Sequence, residues 1–232
     1  MITHPLVSVI IPAYNSDLYL AEAVESILSQ NYTSFEIIII DDGSTDKTAE
    51  VAKSFGSKVT YCYQNNGGSA TARNHGIELA QGSFLAFLDA DDLWVEDKLE
   101  VQLEAFKNDP ELHLVFGQVQ QFHSPDLAEE LKAKIYCNSE LMPGYIPSAM
   151  LVKKDSFFQI GEFESKWKSG EFAAWYVRAV ESGLKTLTLP KLVAKRRLHS
   201  ANKGIKQKDE ARLDYVRILK ASLDRRRAEG LV

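Results

Sequence analysis

The sequence has few cysteines, no long apolar run and no marked excess of either charge. Its 232 residues include only Cys62 and Cys137 as cysteines, which excludes a disulfide framework and a four-cysteine zinc site. No apolar run approaches the ~20 residues of a membrane-spanning helix. The apolar stretch near the start has no basic segment before it and ends at Pro12, unlike a signal peptide. We therefore expect a cytoplasmic protein.

The composition is that of an ordinary globular domain, but its charges are unevenly distributed. Apolar residues make up 45% and charged residues 25%, which argues against disorder and fibrous repeats. The length predicts one domain, or one domain with an appendage. The formal net charge is −5, yet residues 185–232 carry 14 Lys+Arg against 5 Asp+Glu. This basic end indicates either an anionic partner or a solvated charged helix.

Apolar runs alternate with helical periodicity through the first half of the chain. This order predicts an α/β fold with a Rossmann-like, mostly parallel sheet and helices on both of its faces. Ligands of such sheets bind beyond the carboxyl ends of the strands. The predicted strands are 6–11, 35–40, 59–63, 84–88 and 112–117. The predicted helices are 18–28, 44–55, 69–80 and 96–107.

The pattern is weaker after residue 118. Residues 124–134 fit a short helix or a loop, 148–153 a strand, and 170–182 and 208–227 helices. The last helix carries one apolar stripe, which we expect to pack against another part of the protein. The stripe consists of Leu213, Val216, Leu219 and Leu223.

Three aspartates follow the predicted strand at 84–88, in the segment Asp89-Ala90-Asp91-Asp92. Their carboxylates would repel one another unless a cation lies among them. Alternating aspartates can hold a hard divalent ion, with phosphates completing its shell. The competing interpretation is a helix cap, which accounts for one aspartate but not for three. The segment therefore favours a metal site.

Two further polar segments lie near the ends of predicted strands. Residues 41–46 (DDGSTD) fit either a turn followed by a helix cap or a carboxylate that binds a nucleobase or ribose. Residues 65–74 form a glycine-containing loop that enters a helix, where amides and Arg73 could meet an anion. The loop matches neither the dinucleotide fingerprint nor the P-loop, so both of those classes lose support.

Together these segments resemble the family 2 glycosyltransferases, which have the GT-A fold. The similar stretches are VSVIIPAYN at 7–15, DDGSTD at 41–46, GGSATARNHG at 67–76 and FLDADD at 87–92, followed by GEFE at 161–164, GEFAAWYVR at 170–178 and RLHSAN at 197–202. The resemblance implies one GT-A domain over 1–205, with a nucleotide-sugar half (1–117) and an acceptor half (118–205). A basic amphipathic C-terminal helix would follow at 206–232.

The resemblance implies a metal-dependent, inverting transfer from a nucleoside-diphosphate sugar, most simply a UDP-sugar, to a hydroxyl acceptor. It places Asp42 against the base, Arg73 at the nucleotide end and Asp89 with Ala90 on the ribose or sugar side. The end of the first strand would line the nucleotide pocket with Pro12, Ala13, Tyr14 and Asn15. Mn²⁺ or Mg²⁺ would be held by Asp91 and Asp92, with His199 as a further ligand.

The sequence departs from the family pattern at the catalytic base. Members usually place the base, an aspartate, directly after the glutamate of the segment at 170–178, where this chain has Phe172, and it has Ala174 at the next acidic position. Glu171 is the only carboxylate left in that segment and is our expected base, with Glu162 and Glu164 as fallbacks. The competing interpretation is that Glu171 only stabilises the start of a helix.

Other functions remain open at this point. The missing aspartate favours a nucleotide-sugar-binding protein or scaffold that has lost catalysis. A phosphatase with an aspartyl nucleophile fits the Asp89 segment poorly, and no nucleic-acid-binding module accompanies the basic end. The acceptor is unspecified, as a glycan, a lipid-linked glycan or another hydroxyl compound, and a homo-oligomer is possible. The basic helix could contact an anionic membrane at its cytoplasmic face.

Overall fold

The structure, a computed structural model, describes residues 4–202 and 208–228. Four parallel strands form the N-terminal half of the sheet, namely β1 (Val7–Ala13), β2 (Phe35–Asp42), β3 (Thr60–Gln64) and β4 (Phe84–Phe87). They lie in the order β3-β2-β1-β4, which confirms the predicted α/β fold. The helices between them are α1 (Leu20–Leu28), α2 (Thr48–Ser54) and α3 (Ser69–Leu79).

The second half of the chain extends the same sheet with mixed strand directions. Its strands are β5 (Leu93–Trp94), β6 (Leu114–His123), β7 (Met142–Pro143), β8 (Leu151–Lys153) and β9 (Thr186–Leu198). From β4 onward the strand order is β4-β8-β6-β9-β5, and β7 pairs with β6. The pairs β4–β8, β8–β6 and β9–β5 are antiparallel, whereas β6–β9 is parallel. The helices are α4 (Lys98–Asn108), α5 (Glu129–Lys132), α6 (Lys154–Ile160), α7 (Glu171–Glu181) and α8 (Lys208–Ala228).

The central strands are apolar on both sides because helices cover both faces of the sheet. In β2, Ile37 and Ile39 belong to one buried cluster, whereas Ile38 and Ile40 belong to the other. These clusters lie on opposite faces, since successive side chains of a strand alternate. The near-continuous apolar sequence of β2 is therefore required by its position. No helix within the described residues is long and apolar enough to cross a membrane.

The prediction that the apolar stripe of α8 packs inward is wrong. Val216 is 65% exposed and Leu219 61% exposed, and the other two residues of the stripe are also exposed. The buried face of α8 contains Asp214 and Ile218 instead. Asp214 Oδ2 accepts hydrogen bonds from the backbone N–H groups of residues 168 and 169, at 2.9 and 3.1 Å. These bonds to the segment before α7 determine which face of α8 turns inward.

A buried lysine has its amine against uncharged groups. Lys98, the first residue of α4, is fully buried. Its Nζ donates to Gln102 Oε1 at 2.6 Å and lies 4.2 Å from the ring centre of Trp94. Burial lowers the pKa of Lys98 well below its usual range. Folding thus favours the neutral amine at this site.

Replacing Lys98 with methionine should change how stability depends on pH. The unfolded chain binds the lysine proton up to about pH 10.4, whereas the folded chain releases it at lower pH. The free energy of unfolding of the wild type therefore rises with pH between these two pKa values, by at most about 1.4 kcal/mol per pH unit. The Lys98→Met variant lacks this rise. Urea unfolding from pH 7 to pH 9.5 measures the difference, with the exposed Lys107→Met on the same helix as control. If the free energies of unfolding of wild type and Lys98→Met differ by the same amount at every pH, the lowered pKa of Lys98 is contradicted.

Candidate functional site

The predicted site segments meet at one edge of the sheet. They follow β2, β1 and β4, which are neighbouring parallel strands, so their carboxyl ends lie side by side. The loops after β1 and β2 are hydrogen-bonded to each other. Asn15 donates its backbone N–H to Ser44 Oγ at 2.9 Å, and Asn15 Oδ1 accepts the backbone N–H of Thr45 at 2.8 Å. Asn15 has a φ of 47°, a left-handed conformation that asparagine tolerates better than most residues.

Asp42 is a buried carboxylate that organises the glycine loop. Its Oδ1 accepts hydrogen bonds from Gln64 Nε2 and the Gly67 N–H, and its Oδ2 accepts one from the Gly68 N–H, all at 2.8 Å. A carboxylate has about four acceptor positions, so Asp42, which is 4% exposed, has one position beyond these three bonds. Gly68 has a φ of 87°, which favours glycine at this turn.

The neighbouring aspartate has a structural role. Asp41 Oδ1 accepts the backbone N–H of Ser44, and its Oδ2 accepts the hydroxyl of Tyr61, both at 2.8 Å. Burial, together with this carboxylate, raises the pKa of Tyr61. The turn interpretation is therefore right for Asp41, while Asp42 retains the capacity for a ligand.

The three aspartates after β4 have different surroundings. The side chains of Asp89 and Asp91 are 37% and 29% exposed, whereas Asp92 is only 3% exposed. Asp92 Oδ2 accepts the Ser148 hydroxyl at 2.9 Å, and its Oδ1 accepts the Arg197 backbone N–H at 3.0 Å. Burial, followed by the charges of Asp91 and Asp89, raises the pKa of Asp92 well above its usual range.

These contacts bear on two expectations for the aspartate segment. Each oxygen of Asp92 accepts one hydrogen bond from the protein, so Asp92 supports the loop, and its role as a metal ligand stays a prediction. The helix-cap interpretation fails, because α4 begins further along, at Lys98. Asp89 and Asp91 are the two carboxylates of the segment that remain accessible.

Asp91 and His199 bring together donor atoms suited to a divalent cation. Asp91 Oδ2 lies 2.9 Å from His199 Nε2 and accepts a hydrogen bond from Asn202 Nδ2 at 3.0 Å. His199 Nδ1 accepts the backbone N–H of Ala201 at 3.3 Å, which leaves Nε2 to face the carboxylate. Within residues 4–202 and 208–228, no group of three or more His, Cys, Asp or Glu is arranged to hold a metal. A carboxylate and an imidazole are both ligand types that divalent cations accept.

Arg197 and Ser148 hold the aspartate loop, and the sequence did not reveal their roles. The guanidinium of Arg197 lies between the rings of Tyr19 and Phe122, at 4.8 and 4.9 Å from their centres. Its Nε donates to the backbone carbonyl of Asp91 at 2.9 Å. The Ser148 hydroxyl accepts the Asp89 backbone N–H at 3.2 Å while it donates to Asp92. Arg197 begins the family-like RLHSAN stretch, but that stretch does not show that Arg197 bonds to the Asp91 carbonyl, and Ser148 lies in no such stretch.

Arg73 joins the aspartate loop to α7. It is 4% exposed, and its Nη2 lies 2.6 Å from Asp89 Oδ1 while its Nη1 lies 2.8 Å from Glu171 Oε1. Ser69 also donates its hydroxyl to Glu171 Oε1, at 2.5 Å. Both terminal nitrogens of Arg73 thus contact carboxylates of the protein. These contacts make Arg73 a positioning residue for Asp89 and Glu171, and its contact with the nucleotide stays a prediction.

Glu171 is the first residue of α7 and is 6% exposed. The position after it is filled by Phe172, whose ring stacks on Tyr176 at 6.1 Å and meets the edge of Phe116 at 6.3 Å. Ala174 is buried in the same helix. The two positions that are acidic in the family pattern are therefore part of the packing here, and Glu171 is the remaining carboxylate.

The remaining predicted site residues lie at the end of β1 and beside the aspartates. Ala13 and Ala90 are buried, whereas Pro12 is partly buried. Tyr14 is 53% exposed, so its ring is available to a ligand. The structure thus brings the β1 end, Asp42 and the aspartate loop to one edge of the sheet.

The fold and this edge define a GT-A-type α/β domain. A family model described as "Glycosyl transferase family 2" matches residues 8–163. The chain belongs to glycosyltransferase family 2.

Two curated relatives each share less than half of the chain. An uncharacterised glycosyltransferase of Rickettsia typhi is 46% identical over 99 residues, which cover 43% of this chain and 31% of that protein. The putative teichuronic acid biosynthesis glycosyltransferase TuaG of Bacillus subtilis is 46% identical over 104 residues, which cover 43% of this chain and 41% of TuaG. The match spans well under two thirds of either relative.

Solved structures share the fold at low sequence identity. S. aureus TarS has a TM-score of 0.68 and 20% identity, covering 95% of this chain and 43% of TarS. The mannosyltransferase PcManGT of Pyrobaculum calidifontis, solved with GDP-Man and Mn²⁺, has a TM-score of 0.64 and 18% identity, covering 89% of this chain and 61% of that chain. A truncated TarS has also been solved with UDP-GlcNAc.

Proposed function

We propose that the protein is a metal-dependent, inverting glycosyltransferase that moves a sugar from a nucleoside-diphosphate sugar to a hydroxyl acceptor. The observation that carries this proposal is the meeting of Asp42, Asp89 and Asp91 at the carboxyl ends of adjacent parallel strands in a family 2 domain. Such an edge is where α/β sheets bind nucleotides. The UDP-GlcNAc of TarS and the GDP-Man of PcManGT support a nucleotide-sugar donor, and UDP is our first choice of nucleotide.

Different residues would bind different parts of the donor. Asp42 has one acceptor position left and would receive a hydrogen bond from the base. Tyr14 would place its exposed ring against the base, with Pro12, Ala13 and Asn15 shaping the pocket. Asp89 has a half-exposed carboxylate beside Ala90 and would accept hydroxyl groups of the ribose or sugar. We propose that residues 1–117 bind the donor and 118–205 the acceptor.

Asp91 and His199 would hold Mn²⁺ or Mg²⁺ against the diphosphate. A bound divalent cation stabilises the negative charge that grows on the leaving diphosphate. Two protein ligands suffice, because phosphate oxygens and water complete the shell of such ions. Arg197 and Asn202 keep the Asp91 loop in place through the hydrogen bonds described above.

Glu171 is our proposed base, which accepts the proton of the acceptor hydroxyl during in-line attack. Its position supports this role, since Arg73 ties its carboxylate to Asp89 on the donor side. Glu164 is a fallback candidate whose carboxylate accepts hydrogen bonds from Lys166 and Trp167, both at 2.8 Å. Glu162 is exposed and remains the other fallback.

A second function is favoured by specific contacts of the same residue. Arg73 and Ser69 both bond to Glu171 Oε1, and Phe172 replaces the usual aspartate. A chain with this arrangement could bind a nucleotide sugar without transferring it and act as a scaffold. The two experiments below separate binding from transfer.

Donor binding should require both the metal and Asp91. We expect one of UDP-, GDP- or dTDP-sugars with Mn²⁺ to raise the melting temperature, and the nucleoside diphosphate to be released on turnover. Asp91→Asn should weaken metal-dependent donor binding about 10- to 100-fold or more, because it weakens a metal ligand. Calorimetric titration with and without Mn²⁺ measures this, with exposed Glu96→Gln as control. Equal donor affinity in Asp91→Asn and wild type contradicts the metal assignment.

Transfer, but not donor binding, should depend on the Glu171 carboxylate. Glu171→Gln keeps the size of the side chain and should lower kcat by about 10²–10⁴ while donor affinity changes little. Ser69→Ala, which leaves the carboxylate in place, should retain most of the activity, and Glu104→Gln is an exposed control. Intact transfer by Glu171→Gln removes the base assignment. A wild-type protein that binds the donor without transfer or hydrolysis supports the scaffold function instead.

The proposal also covers location. The exposed apolar stripe of α8 lies beside the exposed Arg212 and Lys220, a combination suited to an anionic membrane surface. We propose a cytoplasmic protein whose α8 contacts such a membrane, where a lipid-linked acceptor would be presented. Co-sedimentation with anionic vesicles that is lost at high salt is the expected result, and no binding at low salt contradicts this contact.

A further inference from the structure

A row of four side chains connects the edge of the sheet to Asp42. Cys62 and Gln64 lie on β3, the edge strand, and His75 lies on α3. Cys62 Sγ is 3.6 Å from His75 Nε2, and His75 Nδ1 is 2.8 Å from Gln64 Oε1. Gln64 Nε2 donates to Asp42 Oδ1 at 2.8 Å. The row therefore runs from a thiol to the carboxylate that holds the glycine loop.

The direction of each hydrogen bond in this row follows from Asp42. An ionised carboxylate only accepts, so Gln64 must turn its amide nitrogen toward Asp42 and its carbonyl oxygen toward His75. The carbonyl only accepts, so His75 Nδ1 must carry the hydrogen. In a neutral imidazole the other nitrogen is then an acceptor. His75 Nε2 thus presents a lone pair to the thiol of Cys62.

A thiol that donates to an imidazole is arranged for nucleophilic reaction. The imidazole can take the thiol proton as the sulfur attacks, which is the logic of cysteine–histidine pairs in general. Gln64 fixes the tautomer and orientation of the imidazole from its other side. Cys62 is partly buried on an edge strand, whereas the second cysteine, Cys137, lies in the segment between α5 and β7. The chain therefore contains its own comparison thiol.

We propose that Cys62 is a site of thiol–disulfide exchange, and that its modification loosens the Asp42 site. The thiol proton passes to His75 Nε2, and the sulfur attacks one sulfur of a low-molecular-weight disulfide. That disulfide bond breaks as the new one forms, and the departing thiolate takes up the proton. The products are a mixed disulfide at Cys62 and one free small thiol, so no further oxidant is needed.

The same row carries the modification to Asp42. The mixed disulfide has no S–H to donate to His75 and adds bulk beside the imidazole. His75 and Gln64 line an open cavity of about 770 Å³, which offers room for the displaced imidazole. When His75 moves, Gln64 Oε1 loses its partner and the bond from Gln64 Nε2 to Asp42 weakens. Asp42 also anchors the Gly67 and Gly68 amides, and its effect on nucleotide binding rests on the proposed function.

The first test is the rate of thiol reaction. A neutral dipyridyl disulfide reacts with each thiol, and the absorbance of the released pyridinethione measures the rate. The Cys137→Ser variant reports the reaction of Cys62 alone, and the Cys62→Ser variant reports that of Cys137 alone. In the Cys137→Ser background, His75→Gln should slow the reaction of Cys62 about tenfold, because the proton acceptor is lost. His113→Gln, which changes a histidine bonded to Ser156 instead, should leave the rate unchanged. An unchanged rate in His75→Gln overturns the activation of Cys62.

The second test reads the connection to Asp42 without any nucleotide. In isotope-labelled Cys137→Ser protein, modification of Cys62 should shift the amide resonances of Gly67 and Gly68, and Gln64→Leu should abolish that response. Unmoved resonances overturn the connection. Where the unmodified protein binds UDP, the Kd should rise several-fold on modification and recover after reduction. A protein that binds no nucleotide before modification overturns the proposed function, while the amide shifts and thiol rates still decide the present proposal.

Discussion

A buried arginine joins the two halves of the candidate site. Arg73 lies on α3 and reaches Asp89 after β4 and Glu171 at the start of α7. Glu171 is buried and Asp89 is partly buried, and burying like charges together is unfavourable unless a cation neutralises them. The guanidinium, with donors directed in a fixed plane, fits between them as a lysine would not. Arg73 therefore joins the aspartate loop to the start of α7 through one side chain.

Around the bridge that Arg73 forms between Asp89 and Glu171, each acidic residue has a separate role. Asp42 holds the glycine loop through amides, and Asp92 holds its own loop through Ser148 and Arg197. Asp89 and Asp91 keep accessible oxygens, and these are the atoms that a donor and its cation would meet. Burial thus separates structural from ligand-binding carboxylates within one short segment. The same principle assigns Arg73 and Arg197 to support, since both are buried and bonded to the protein.

The sequence predicted what local patterns determine. The apolar runs of β1, β2 and β4 and the helices between them are local features, and the acidic segments at their ends located the site. The second half was harder, because β6 pairs with both β8 and β9, and the direction of those pairs depends on connections with no local signal. The inward face of α8 was also missed. Polar anchoring by Asp214 outweighs the apolar stripe there, and this could not be read from periodicity.

The roles of individual site residues depended on contacts across the chain. Asp91 and Asp92 are adjacent in sequence, and only the distant Ser148 and Arg197 distinguish the buried one from the accessible one. Likewise, nothing near Arg73 in sequence shows that its partners are Asp89 and Glu171. Family resemblance singled out these residues, but it could not show which of their atoms are bonded to the protein.

The most direct test of this account is the stability of Arg73→Met. Arg73→Met removes the ion pair between Arg73 and the buried Glu171 carboxylate, and breaking a buried pair in this way costs about 3–5 kcal/mol. Lys166→Met is the matched control, because Lys166 pairs with Glu164 at 2.8 Å on the surface, where such pairs contribute about 0–1 kcal/mol. Urea unfolding of both variants gives the comparison. A loss of several kcal/mol for Arg73→Met alone is predicted, and a loss no larger than that of Lys166→Met would contradict the central role of the bridge.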